Sequence, residues 1–193
     1  MGDPKKTRKK YVTPAHPWQK QRIVDENVLM KEFGLKNKKE LWKMGTFVKV
    51  VAKQAKKAIA SKDEQSRKEE KQLLSKLARL GLVASNAKID DALGLTIRNV
   101  LERRLQTLVF KKNLARSVNQ ARQFITHRHI KIKGKKVTSP SFLVDLSDES
   151  TIGFAQNSQL FDEQHPERVP PLAIAETNEE EKVLEKKNAG DKK

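Results

Sequence analysis

Arg116, Ser117, Asn119, Gln120, Arg122 and Gln123 fall in one short run of the chain. Arginine forks hold phosphate oxygens through paired hydrogen bonds, and Asn and Gln amides match sugar hydroxyls and base edges. The run therefore has the chemistry of polyanion and base recognition rather than of bond making. Cations extend it on both sides, with Arg103, Arg104, Lys111 and Lys112 before it and Arg128, Lys131, Lys133 and Lys135 after it. His127 and His129 flank Arg128, but zinc takes three or four ligands, and His16 and His165 lie far off in sequence. The pair reads as turn histidines contacting backbone or RNA, with no metal and no cofactor expected. Asp90 and Asp91 sit where helix-end electrostatics account for them. Glycine loops for phosphate, nucleophile elbows and catalytic triads are not found in the sequence, so no enzyme is expected.

These side chains need elements to hold them. Ser117 followed by Gln120 is a capping box opening a helix to residue 126, with Val118, Ala121 and Ile125 on its inner face. The amide-bearing start of that helix suits a phosphate. Before it, Thr96 caps an amphipathic helix whose apolar side is Ile97, Val100, Leu101, Leu105 and Leu108, leaving Arg98, Arg103, Arg104, Lys111 and Lys112 outward. After it, Ile130-Lys131-Ile132-Lys133 alternates as a half-buried strand does, with a turn at Gly134-Lys135. Short strands are expected at 142–146 and 152–154. Residues 97–155 thus read as two helices and a small sheet.

Residues 23–96 read as a helical, RNA-facing domain. Asp25 is a candidate cap for a helix with Val28, Leu29 and Phe33 inward, and Gly34 is a stop signal. Asn37 and Glu40 form a second capping box. The stripe Val48, Val51, Ala52, Ala55, Ile59 predicts a buried face, with Lys49, Lys53, Lys56 and Lys57 offered on the others. Leu73, Leu74, Leu77 and Leu80 form another stripe, ended by Gly81. Residues 1–22 read as an extended basic arm: Lys5, Lys6, Arg8, Lys9, Lys10, Lys20 and Arg22 carry charge, while Tyr11, His16 and Trp18 offer rings for stacking on unpaired bases. Residues 156–193 read as an acidic, partly disordered tail. The phenylalanines are expected mostly in the core.

The whole chain of 193 residues carries a formal net charge of +17. The charge is lopsided: residues 1–144 hold 35 of the 41 Lys and Arg but only 12 of the 24 Asp and Glu. Counterion release makes such a body bind nucleic acid whatever its sequence. There are no cysteines, which excludes disulfides and thiolate zinc sites. No apolar run reaches the length of a membrane span, no membrane partner is expected, and the N-terminus lacks the apolar stretch of a secretory signal. A cytoplasmic location is expected.

The residues Arg104-Leu105, Ala115-Arg116-Ser117, Gln120-Ala121-Arg122-Gln123, Ile125 to Ile130, Gly134, Val137 and Pro140-Ser141 together resemble the S4 RNA-binding domain. Members of that family usually have glycine between the two histidines, where this chain has Arg128, which adds a cation. The flanks Arg8 to Pro14, His16-Pro17-Trp18 and Gly34 to Glu40 resemble the archaeal type of the small-subunit ribosomal protein S4 family. The resemblance implies an α+β fold, with a helical N-terminal domain and a small αα-and-sheet RNA-binding module. It implies a structural, primary rRNA-binding role on the 5′ domain of small-subunit rRNA early in assembly. It also implies a place near the mRNA entry path, beside the S5 neighbour. Some members carry a cysteine cluster for zinc at the N-terminus; here a lysine-rich arm stands in its place. The alternatives are an RNA-modifying enzyme that uses the module as an anchor, and a nonspecific binder of polyanions or acidic membranes.

Overall fold

The computed structural model describes residue 2 and residues 9–61, 63–162 and 165–168. Lys5, Lys6 and Arg8, and the tail from residue 169 onward, lie outside the described residues.

The helical part comprises α1 (Lys20–Glu32), α2 (Lys38–Ala60), α3 (Glu64–Arg79), α4 (Ile89–Leu93) and α5 (Ile97–Glu102). Asn37 caps α2, its side chain accepting from the Glu40 amide at 3.3 Å. The apolar stripe of α2 splits between two cores. Leu41 and Met44 pack with Phe33, Leu35, Val100 and Leu101, whereas Val51 and Ala55 pack with Leu73, Leu77, Ala92 and Leu95. Ile59, at the far end of the stripe, is exposed.

Three expectations fail at α1. Asp25 lies inside the helix rather than at its cap, because α1 already begins at Lys20, directly after the Pro17-Trp18-Gln19 turn. Lys20 and Arg22 therefore belong to a helix and not to an arm. Val28 is exposed, whereas Phe33 is buried and Leu29 packs against the core as expected, and Glu26 is buried as well.

The second part comprises α6 (Leu105–Lys111), α7 (Val118–Thr126), β1 (Ile130–Ile132), β2 (Lys135–Lys136), α8 (Leu146–Glu149) and β3 (Gly153–Phe154). The sheet is antiparallel in the order β2-β1-β3, with Lys131 opposite Lys136 and Ile130 opposite Phe154. Lys133 and Gly134 make the turn with φ of 48° and 77°, the paired positive values that a two-residue hairpin favours. Leu105, Leu108, Ala121, Ile125, Ile130, Val144 and Phe154 share one core.

The single helix expected from Ile97 to Lys112 is broken at Arg103-Arg104. Arg104 is extended there, bridges Leu143 in antiparallel fashion, and is followed by a bond from the Leu105 amide to the Phe142 carbonyl at 2.8 Å. Pairing with the 140–144 segment therefore wins over helical continuation. The expected strand at 142–146 shrinks to that bridge, and Leu146 to Glu149 form a helical turn instead. The tail begins later than expected: Gln159–Phe161 is a 3-10 turn whose Leu160 is buried in the module's core. Of the phenylalanines, Phe110, Phe142 and Phe161 are exposed.

Candidate nucleic-acid interface

α7 is built as its sequence dictates. Ser117 Oγ accepts from the Gln120 amide at 3.1 Å. The Gln120 side-chain oxygen Oε1 accepts from the Arg116 amide at 2.7 Å, one residue beyond the usual capping-box partner. Residues 165–168 close over this end. Gln120 Nε2 donates to Glu167 Oε2 at 2.8 Å, and Arg116 donates to the Pro166 carbonyl. Asn119 and Gln123 are exposed on the outer face.

Behind α7 lies a buried ionic junction. Arg104 donates to Glu40 Oε2 at 2.7 Å, and Arg122 donates to Oε1 at 2.8 Å and to Oε2 at 3.2 Å. Gln106 extends it, donating to the carbonyls of Gly34 and Val118 at 3.0 Å each. Burial pushes the Glu40 carboxyl up, but hydrogen bonds from Arg122 and Arg104 outweigh it and hold the group below the usual glutamate value of 4.5. The junction ties the N-terminal end of α2 to α6 and α7.

This corrects the expectation that Arg104 faces outward. Its side chain is 1% exposed, because the break before α6 turns it inward onto Glu40. Arg103 is also largely enclosed, donating to Glu149 Oε2 at 2.8 Å and to the Val144 carbonyl at 3.3 Å. Arg122 keeps only its outer edge accessible. Lys111 pairs with Glu102 at 3.0 Å, Lys112 donates to the Glu149 carbonyl, and Lys133 pairs with Asp148.

The histidines separate in role. His129 Nδ1 is hydrogen-bonded to Ser158 Oγ at 2.7 Å, and its ring meets Phe124 edge-on. Burial, then the neighbouring His127 and Lys136, holds its pKa below the usual histidine value. His127 is exposed and stacks on the His129 ring with centroids 6.4 Å apart. Arg128 between them is exposed at φ 65°, the left-handed region that explains glycine at this turn.

Among the described residues, Lys9, Lys10, Lys20, Lys49, Lys53, Lys56, Arg128 and Lys135 are exposed, and Lys131 is half-buried. Lys57 is exposed too, but it pairs with Glu69 at 3.3 Å. Trp18 is 90% exposed, His16 is exposed, and Tyr11 packs on Trp42 with ring centroids 6.0 Å apart. Arg22 is a staple instead of a free cation: it bonds Glu26 and the carbonyls of His16 and Pro17. Glu40 and Gln106 were not foreseen as parts of the site. The only local sign was Glu40's capping-box position, and its partners lie 64 and 82 residues onward. Lys36, Lys39 and Lys43 are further exposed cations around the start of α2.

With a capped helix feeding a β-turn, held on a helical body and rimmed by cations, this is an α+β protein that carries an S4-type domain. The family model described as the S4 domain matches residues 103–150. Relatives match far beyond it. Small ribosomal subunit protein uS4 of Thermoplasma acidophilum is 46% identical over 94% of this chain and 93% of its own length. The protein of that name from Ignicoccus hospitalis is 49% identical over 83% of this chain and 97% of its own. That of Methanococcus aeolicus is 48% identical over 91% of this chain and all of its own. The chain belongs to the family of small ribosomal subunit protein uS4.

Proposed function

We propose that this protein is a structural, non-enzymatic constituent of the small ribosomal subunit that binds small-subunit rRNA directly. The observation that carries the reading is the Glu40 junction, which fixes two cation-bearing bodies in one orientation. Folded RNA is recognised mostly by shape and phosphate position, with base contacts at unpaired nucleotides. A rigid array of Lys49, Lys53 and Lys56 on α2 and Arg128, Lys131 and Lys135 at the hairpin suits that mode. Contacts from one scaffold add as avidity.

Within that reading, the arm, the helical body and the S4 module grip different parts of the 5′ domain. Binding is early and direct, so the protein nucleates assembly. The neighbours are other small-subunit proteins, S5 among them, and the position is near the mRNA entry path. Support comes from the family membership and the extent of the basic surface. An RNA-modifying role has no support, since the residues before the module are taken up by α1 to α5 and their cores.

A filter-binding titration tests the reading. The protein should bind a 5′-domain transcript of small-subunit rRNA in preference to duplex DNA of equal length, with affinity falling steeply with salt. Equal affinity for both polyanions would overturn it.

A further inference from the structure

Gly45 sits inside the long helix α2, two turns from its start, where glycine is unfavourable relative to alanine. No left-handed backbone requires it, since its φ is not positive. No close approach requires it either: a Cβ there would meet its nearest neighbour, Ile97 Cδ1, at 3.4 Å, an ordinary contact. What the missing side chain leaves is room. Gly45 lines a cavity of about 540 Å³ between the arm and the α1–α2 pair.

An aromatic side chain stands in the cavity wall. Trp42, one helical turn before Gly45, lines it, and the indole is held in place by donating to Glu26 Oε1 at 3.1 Å. Tyr11 packs on that indole with the ring planes tilted by 37°. Leu29, Leu41 and Val48 add apolar surface, and Thr46 is fixed by accepting from the Val12 amide at 3.0 Å. Lys49 stands on the rim, and Lys10 and Lys20 are exposed on the segments that border it. A flat heterocycle entering from a polyanionic strand meets these requirements together: stacking from Trp42, an apolar floor, and cations for the flanking phosphates. Asp25 and Glu26 also line the cavity, but Glu26 is paired with Arg22 and Lys38, so the exposed Lys10, Lys20 and Lys49 outnumber the exposed Asp25; an apolar side chain of a protein partner would use the floor but not those cations.

We propose that this cavity is a seat for one unpaired nucleobase of the bound RNA, stacked on Trp42. The seat deepens the rRNA-binding reading and rests on it. Because every base has a stacking face, the seat selects for an unpaired nucleotide and not for a particular base.

The test uses the full chain and a transcript of the small-subunit rRNA 5′ domain. Ultraviolet crosslinking followed by peptide mass spectrometry should find a nucleotide adduct on Trp42. Gly45→Leu fills the cavity and favours the helix, so circular dichroism and Tm should be retained while rRNA affinity falls about tenfold. Adducts found only elsewhere, or an unchanged affinity of a folded Gly45→Leu protein, would overturn the seat and leave rRNA binding intact. Should Gly45→Leu fail to fold, the crosslink on the unaltered chain still decides. A variant that binds free transcript normally but is excluded from assembled subunits would assign the cavity to a protein neighbour and overturn the nucleobase. Absence of any rRNA binding by the unaltered chain would overturn the broader reading instead.

Discussion

Replacing Glu40 by alanine would leave two guanidinium groups facing each other with no anion between them. Arg104 is too enclosed to recover water, so the cost should be about 3–5 kcal/mol, the usual penalty for breaking a buried pair from one side. Thermal unfolding of Glu40→Ala should show a correspondingly large fall in Tm. A Tm equal to that of the unaltered protein would remove the junction from the account. The same residue sets an acid limit. Its carboxyl is held below 4.5 in the folded chain, so the stability it gives is present above that value and is lost as pH falls through the lowered one. Acid unfolding monitored by tryptophan emission should flatten in Glu40→Gln.

Arg128 makes the opposite kind of prediction. It holds a left-handed backbone that a branched or long side chain occupies at a cost of about 1–2 kcal/mol. Arg128→Gly should therefore keep or raise stability. If this cation contacts phosphate, the variant should also reduce the slope of log affinity against log salt by about one. Loss of stability would show that the arginine side chain supports the turn.

At the level of elements, the capping signals were readable and the interruptions were not. Asn37 and Ser117 stand where their spacing predicts, because an N-cap bond is local. The break before α6 has no local cause: it follows from pairing of Arg104 with Leu143, 39 residues away. The apolar periodicity of Ile97 to Leu108 continues through the break, with Val100 and Leu101 serving the helical core and Leu105 and Leu108 the module core. One stripe thus hides two partners. Helical spacing from Arg103 and Lys111 points Arg104 outward for the same reason, since it assumes a continuous helix. The segment after Ala155 is equally hidden, as only Leu160 of the short Leu160-Phe161 pair is buried, among polar neighbours in the sequence. Leu160→Ala should destabilise the protein by about 2–5 kcal/mol in urea unfolding. An effect below about half a kcal/mol would place residues 156–162 outside the folded module.

Over the whole molecule, charge and rigidity act together. The excess of Lys and Arg over residues 1–144 was plain in the sequence, and it names a polyanion without choosing one. Choice requires cations at fixed separations, which is what the two bodies joined through Glu40, Arg104, Gln106 and Arg122 supply. That joint could not be read from spacing, because its members come from three distant stretches of chain. Many of the arginines nearest the module's core turn out to be structural, so the lysines of α2 and the hairpin cations carry more of the RNA contact than the arginine-rich run suggested.

The most direct test of this account is a competition titration: labelled 5′-domain rRNA transcript bound by the unaltered protein and by Glu40→Gln, with unlabelled duplex DNA as competitor at physiological ionic strength. The account predicts that DNA competes poorly against the unaltered chain and markedly better against Glu40→Gln, whose basic bodies are no longer held in register. Equal competition for both proteins, with both still folded by circular dichroism, would contradict it.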